Sequence, residues 1–356
     1  MKSQKNRIEH SFPCIGKAEQ SGILAVIKSS FLAEGAQVEC FEKEMCRYIG
    51  CDYAIAASTG TSALHLALLA LEVGKGDEVI LPNYVCRSVL NAVQYCQATP
   101  VLCDVQTKTY NISLDEVKEK VNGRTKAIIV AHMFGCPVPV DKLRIKGIPI
   151  IEDCAQSIGA QYKGKKVGSL GDIAVFSFEG TKTITTGEGG MVATSSKKLC
   201  KKLKSLKEPY ANDCMPKYTY RMSSLQAAVG RIQLKRLPGF IKKRRQIARQ
   251  YAKAFALDGV ELPVAPQDMM PTFHRFMLDV REINIDCFLP ACWKKKVMVK
   301  RPIKPYLLNQ YLGISSKLFP NSEYIMKHCV SVPIYPSLKK NEVTRIIKVV
   351  CGELKK

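Results

Sequence analysis

From about residue 50 to residue 195 the chain alternates short apolar, often β-branched runs with segments of helical period, and this alternation constrains the fold most. The runs are Glu78–Leu81, Pro100–Asp104, Lys126–Ala131, Ile148–Glu152, Ile173–Phe178 and Gly190–Thr194. Between them Leu64, Ala67, Leu68 and Leu71 fall at i, i+3, i+4 and i+7, and Val89, Val93 and Cys96 at i, i+4 and i+7. Ser113 followed by Glu116 reads as a capping-box start for a further helix. Strands alternating with helices at this spacing predict an α/β layer with a largely parallel sheet. Ligands of such sheets gather at the carboxyl ends of the strands.

Beyond about residue 235 the texture changes. Leu237-Pro238-Gly239 punctuates the chain, a basic helix-like stretch runs on through Phe255, and prolines become frequent, as at Pro263, Pro266, Pro271, Pro290, Pro302 and Pro305. A terminal helix pattern covers Asn341–Leu354. The division expected is a large domain over 1–237 and a smaller α+β domain over 238–356. At 356 residues the chain is long enough for two cores.

Charge and cysteine content narrow the partners. The 54 basic residues outnumber the 31 acidic ones, for a net charge of +23. The lysines and arginines lie in scattered groups such as Lys197-Lys198, Lys242–Arg245 and Lys294–Lys296, without interleaved aromatics, so nucleic acid is not expected. The field does suit a small polyanionic substrate. None of the fifteen cysteines is spaced Cys-x-x-Cys and the five histidines form no i, i+4 pair, so no metal site is expected. Most of the cysteines read as small buried hydrophobes in a reducing compartment. No run approaches the ~18 apolar residues that cross a bilayer and no signal peptide is evident, so the expected location is the cytoplasm, with no membrane partner.

Three stretches carry chemistry. In VFSFEGTKTITTGEGGMVAT (175–194), Lys182 follows a hydrophobic strand ending at Ser177-Phe178. A lysine just outside a buried strand is placed to lose solvation, which favours the nucleophilic free amine, and Ser177 can donate to an anion in the same crevice. A basic surface residue beside a glycine turn would look the same. In IEDCAQSIGA (151–160), Glu152-Asp153 ends a very apolar strand, where a carboxylate needs a cationic partner. The protonated ring nitrogen of pyridoxal phosphate is one such partner, and an N-cap role for Asp153 is the other reading. In ASTGTSALHLALLAL (57–71), the helix start and the hydroxyls of Ser58, Thr59 and Thr61 would hold a phosphate, as would any Ser/Thr-capped helix. His65, within that helix, reads as packed or partly exposed rather than catalytic.

Ser-x-Gly-Thr before a helix, then Glu-Asp-x-Ala-Gln, then Phe-Ser-Phe-x-x-x-Lys with Gly-Glu-Gly-Gly, resembles the DegT/DnrJ/StrS-type sugar aminotransferases. So do PVLCDVQTKTYNI (100–112), AHMFGCPVPVD (131–141), YRMSSLQAAVGRIQL (220–234) and VSVPIYPSLKKNEV (330–343). The resemblance implies a fold-type I enzyme dependent on pyridoxal 5'-phosphate, with a mainly parallel sheet flanked by helices and a smaller C-terminal domain. It implies a homodimer with shared active sites, a nucleotide-diphosphate keto-sugar as acceptor and L-glutamate as donor, in a ping-pong reaction. By the same resemblance Lys182 would form the internal aldimine, Asp153 would pair with the ring nitrogen and Gln156 would sit near the ring hydroxyl. Ser177 and the amides of Gly60 and Thr61 would bind the phosphate, with Thr219-Tyr220-Arg221 reaching it from the second subunit.

Three positions depart from the family pattern. Cys86 stands where an aromatic ring usually stacks on the cofactor, Thr219 replaces an asparagine, and Pro302-Ile303-Lys304 replaces Pro-Ile-His. Two rival readings are a cysteine-desulfurase-like enzyme and a non-catalytic polyanion-binding protein on the same scaffold. The desulfurase would need a mobile-loop cysteine and usually a histidine where this chain has Thr181; the non-catalytic protein would lack a coloured cofactor.

Overall fold

The computed structural model describes residues 6–210, 216–256, 260, 262, 266–303 and 305–355. Along the chain come β1 (Tyr53–Ala57), β2 (Glu78–Pro82), β3 (Thr99–Cys103), β4 (Thr125–Ala131), β5 (Ile150–Asp153), β6 (Gln161–Tyr162), β7 (Lys165–Lys166), β8 (Ile173–Ser177) and β9 (Gly190–Thr194). All but β6 and β7, which pair with each other and with the later β10 (Met269–Met270), join one sheet in the order β1-β9-β8-β5-β4-β2-β3. The six expected runs are all strands of it. Tyr53–Ala57 went unread because its small, alanine-rich run carries little strand signal. The sheet is parallel except for β9, which runs against both β8 and β1. Instead of a helical crossover, a loop over residues 178–189 turns the chain straight back from β8 into β9, and Lys182 lies on that loop.

The helices are α1 (Lys17–Ser29), α2 (Ala36–Ile49), α3 (Gly60–Ala70), α4 (Arg87–Tyr95), α5 (Leu114–Lys120), α6 (Lys197–Lys207), α7 (Ser224–Ala256), α8 (Ile285–Lys294), α9 (Leu308–Tyr311), α10 (Pro320–His328) and α11 (Lys340–Leu354). They cover both faces of the sheet, and the period of two along each strand assigns residues to faces. On β8, Ile173 and Val175 pack with α3, α4 and α6, while Ala174 and Phe176 pack with α2 and α7. α5 starts as expected, with the Ser113 hydroxyl accepting from Glu116 N, but the reciprocal half of the box is missing. The Glu116 carboxylate accepts instead from Asp104 N and Lys120, pinning α5 to β3.

The Leu237-Pro238-Gly239 punctuation does not break the chain. α7 runs through Pro238 for 33 residues. An interior proline costs about 3 kcal/mol. Here that is outweighed by burial of Leu234, Leu237, Phe240 and Ile241, each worth roughly 1.5–3 kcal/mol. Past this point α7 enters a second core, in which Tyr251 and Phe255 pack with β11 (Phe276–Asp279), β12 (Cys329–Val332), α8 and α11. Ile8 belongs to this second core, and Ile303, Leu307, Leu308, Phe319 and Ile325 return to the first. We propose a domain boundary at 237/238; the last α7 residues in the first core are Phe240 and Ile241 and the first in the second is Ile247, with short excursions of the chain in both directions. The cysteine reading needs correction: of the fourteen described, only Cys96, Cys103, Cys154, Cys200, Cys292 and Cys329 are buried, and Cys86 and Cys287 are exposed. No described helix is long and apolar enough to cross a membrane.

Candidate active site

The carboxyl ends of β1, β2, β4, β5 and β8 open onto one cleft of about 310 Å³. It is lined by Gly60 and Thr61 at the start of α3, by Cys86, by His132, by Asp153 and Gln156, and by Ser177 and Lys182. Six of the seven expected site residues therefore meet in one place, from segments spread between residues 60 and 182 of the sequence. Lys182 is half-buried, and its amine makes no hydrogen bond or ion pair to the described residues. Thr219 does not line this cleft. It is exposed on the same chain beside Arg221, whose guanidinium lies 3.6 Å from Glu34 at the edge of a different cavity.

The anion cradle is built by close backbone approach. Gly190 of β9 sits between Ser177 of β8 and Ala57 of β1, and a Cβ there would collide with Thr59 O. A Cβ on Gly60 would stand 2.7 Å from the Ser177 side chain. With glycine at both places the start of α3 settles against Ser177, and the amides of Gly60 and Thr61 make no hydrogen bond to described residues. Two free N–H groups at the positive end of an eleven-residue helix, beside a hydroxyl, form an anion site. The hydroxyl expectation is only partly met. Thr59 caps the helix by accepting from Ser62 N at 3.0 Å, and Ser58 turns to Ser62 and stays outside the cleft wall.

Glu152 and Asp153 part company because successive side chains on a strand face opposite ways. Asp153 faces the cleft, and its Oδ1 accepts from Ala155 N at 2.9 Å. No helix follows, so the N-cap reading of Asp153 fails and the contact is a tight turn. Burial raises its carboxyl above the usual range, while the Ala155 amide and the charge of Lys182 pull the other way. Glu152 points into the protein and is fully buried. It accepts from His132 Nε2 at 2.9 Å, Gly168 N at 2.8 Å, Leu170 N at 2.7 Å and Gly171 N at 2.6 Å. His132 Nδ1 accepts from Val138 N at 2.8 Å, so the Nε2–H tautomer is fixed and one side of the ring is held against the cleft. Sequence reasoning missed His132; the signal was a buried-strand glutamate that needed a donor. His132, Glu152 and Cys154 also lie close enough together to suggest a metal. With four donors already on the Glu152 carboxylate, this is a hydrogen-bonded support for the cleft wall.

Burial pushes the Glu152 carboxyl up, but His132 and the glycine amides more than offset this and hold it below the usual range. A group whose folded pKa is depressed stabilises the fold above its unfolded pKa, and that stability is lost as pH falls through the folded value. Glu152→Ala is expected to cost about 3 kcal/mol or more at pH 7, by orphaning four donors. The gap between wild type and variant in urea unfolding should narrow as pH drops below ~4, the ordinary carboxylate range. A gap that stays constant with pH would contradict this role.

Gln156 Oε1 accepts from Phe134 N at 3.2 Å, which leaves its Nε2 for a ligand. Cys86, the cysteine on the cleft wall, is the N-cap residue of α4, fixed at the end of a helix. His65 is packed as expected, with Nδ1 3.1 Å from Tyr220 Oη among Tyr95, Tyr218 and Tyr220. None of the clustered surface lysines lines the cleft, Arg244 of the Lys242–Arg245 group is buried, and Lys304 lies outside the described residues.

Residues 13–351 match the DegT/DnrJ/EryC1/StrS aminotransferase family. The chain belongs to that family. It is 33% identical to the uncharacterized protein MJ1066 of Methanocaldococcus jannaschii, over 95% of each chain. Among solved structures it resembles the aminotransferase TlmJ from Streptoalloteichus hindustanus, with 27% identity, a TM-score of 0.90 and coverage of 98% of this chain and 99% of that one. It also resembles DesV of S. venezuelae, solved in complex with a ketimine intermediate, with 29% identity, a TM-score of 0.89 and coverage of 95% and 94%. This family member therefore has the fold of a fold-type I aminotransferase, with its cleft where the strand ends converge.

Proposed function

We propose that the protein is a pyridoxal-phosphate-dependent aminotransferase that moves an amino group from L-glutamate to a nucleotide-linked keto-sugar. The observation that carries the reading is the convergence of Lys182, Asp153 and the Gly60–Thr61–Ser177 cradle in one cleft. That donor set fits the cofactor: an amine for its aldehyde, a carboxylate for its ring nitrogen, and free amides with a hydroxyl for its phosphate. When bound, the cofactor supplies an electron sink for negative charge at the carbon that loses a proton.

This chain's own residues do the rest. Lys182 Nζ would take the proton from the donor's α-carbon and return it elsewhere, since among the described residues no other lysine or arginine lines the cleft. Asp153, raised by burial, is poised to be brought back to its charged form by a cationic partner. Gln156 Nε2 would orient the ring hydroxyl, and the apolar wall of Leu64, Val85, Val89 and Val175 would exclude water. For Thr219 and Arg221, which do not line their own cleft, we propose a role across a homodimer interface at the partner's phosphate. We place the enzyme in the cytoplasm and in amino-sugar biosynthesis.

A panel of nucleotide-linked 3-keto and 4-keto sugars, incubated with L-glutamate and followed by mass spectrometry, tests the reading. An amino-sugar nucleotide should form, with free keto-sugars at least ~100-fold poorer, a difference of ~2.7 kcal/mol from losing the charged handle. Free keto-sugars or simple 2-keto acids reacting as well as the nucleotide-linked sugar would overturn it.

A further inference from the structure

The cleft runs against the charge of the chain. The protein as a whole carries +23, yet among the described residues the cleft wall holds three acidic groups, Asp153, Glu179 and Glu188, against the one amine of Lys182. His132 is engaged with Glu152 and Val138 N. With Asp153 and Lys182 given to the cofactor, what remains on the wall for a substrate is two carboxylates and no cation.

Both carboxylates belong to the 178–189 loop that carries Lys182, and the backbone of that loop is pinned around them. Lys182 N donates to Glu179 O at 2.9 Å, closing a turn whose first and last Cα atoms stand within about 7 Å of each other. Glu179 is half-buried, and its Oε2 accepts from Thr181 N at 3.0 Å and Thr181 Oγ1 at 2.6 Å inside the same turn. A carboxylate held through one oxygen by two donors keeps a set orientation. Its other oxygen, Oε1, makes no hydrogen bond to described residues. Glu188 is anchored by its carbonyl, which accepts from Thr186 Oγ1 at 2.5 Å and Gln226 Nε2 at 2.8 Å, and its side chain is exposed.

An open carboxylate oxygen can only accept. It repels phosphate and suits a neutral group rich in O–H donors, such as a sugar ring. An O–H···O⁻ bond is charge-assisted and about twice as strong as a neutral one. The wall therefore favours the uncharged end of a sugar nucleotide and leaves its diphosphate to be met outside the cleft.

We propose that Glu179 is a specificity-determining residue that accepts a hydroxyl of the acceptor's sugar ring on Oε1, with Glu188 adding to the negative charge that keeps the diphosphate out. This rests on the proposed function, which supplies a sugar as acceptor. The competing role for Glu179 is as a counter-charge to Lys182, although no ion pair joins the two side chains.

Three pairs of unreactive probes separate sugar from diphosphate on the holoenzyme: UDP-glucose with UDP, dTDP-glucose with dTDP, and GDP-mannose with GDP. In wild type at least one nucleotide sugar should bind. It should protect Glu179 from carbodiimide-driven coupling of glycine methyl ester, mapped by peptide mass spectrometry, and its nucleoside diphosphate should not. Glu179→Gln should weaken that nucleotide sugar about tenfold or more. Binding of the nucleoside diphosphate, and the rate at which glutamate changes the absorbance of the bound cofactor, should change far less. Glu179→Asp, which keeps the charge on a shorter arm, should fall between. Equal weakening of nucleotide sugar and nucleoside diphosphate, or no weakening of either, would overturn the proposal. So would a glutamate step slowed as much as sugar binding, which would place Glu179 on Lys182. Wild-type labelling decides the matter even if Glu179→Gln does not fold, since equal labelling with and without the nucleotide sugar contradicts the contact. If no nucleotide sugar binds wild type, the sugar-acceptor reading and the proposal fall together; a bound nucleotide sugar indifferent to Glu179 removes the proposal alone.

Discussion

Lys182→Ala is expected to lower amino transfer by about 10⁴-fold or more, equivalent to ~5.4 kcal/mol in the barrier, while leaving the protein folded. Lys182 is half-buried on the loop between β8 and β9, and its amine holds no described partner whose loss would unsettle the fold. Among the described residues its Nζ is the only basic amine on the cleft wall, so under the proposed function its removal takes away both the nucleophile and the group that would carry the proton between carbons. The cradle at Gly60, Thr61 and Ser177 remains, so the variant should still hold the cofactor, now without a covalent link. Added methylamine should restore a small part of the lost rate. Turnover within tenfold of wild type would show that another group moves the proton.

Asp153→Ala should slow turnover by at least ~100-fold, or ~2.7 kcal/mol. The argument is electrostatic. Asp153 terminates a strand whose other residues are buried, and its carboxyl is raised above its usual range by burial, with only the Ala155 amide and more distant charge to favour ionisation. A cationic ring nitrogen against it would complete the pair and keep the ring protonated, which is what makes it an electron sink. Asp153→Asn, similar in shape and without charge, should be impaired nearly as much, which separates loss of charge from loss of packing. Near-normal turnover in both variants would mean that another group holds the proton.

The parts of this molecule that the sequence made legible are those governed by local pattern. Six strands and the helices α3, α4, α5 and α11 followed from period and capping, and Lys182, Asp153 and Ser177 followed from their places at strand ends. What stayed hidden depends on tertiary contact. Pro238 looked like a boundary because a proline's local cost is visible and the apolar face that outweighs it is visible only once α1, α2 and the sheet are packed against α7. Glu152 looked like a twin of Asp153 because the sequence does not say which face of β5 meets His132 and the 168–171 turn. Gly190 reads as the first residue of a strand run, and only the approach of Thr59 O shows why a side chain is forbidden there. Thr219 and Arg221 stand where the family's cross-subunit motif would, with Thr219 in place of its asparagine, and they do not line the cleft of their own chain.

The claim that the cleft around Lys182 is the cofactor site is tested most directly by borohydride reduction of the purified protein, followed by digestion and peptide mass spectrometry. The mass of the reduced cofactor should appear on one peptide, at Lys182, and be absent from Lys182→Ala. A label on any other lysine, or no label at all, would contradict the account.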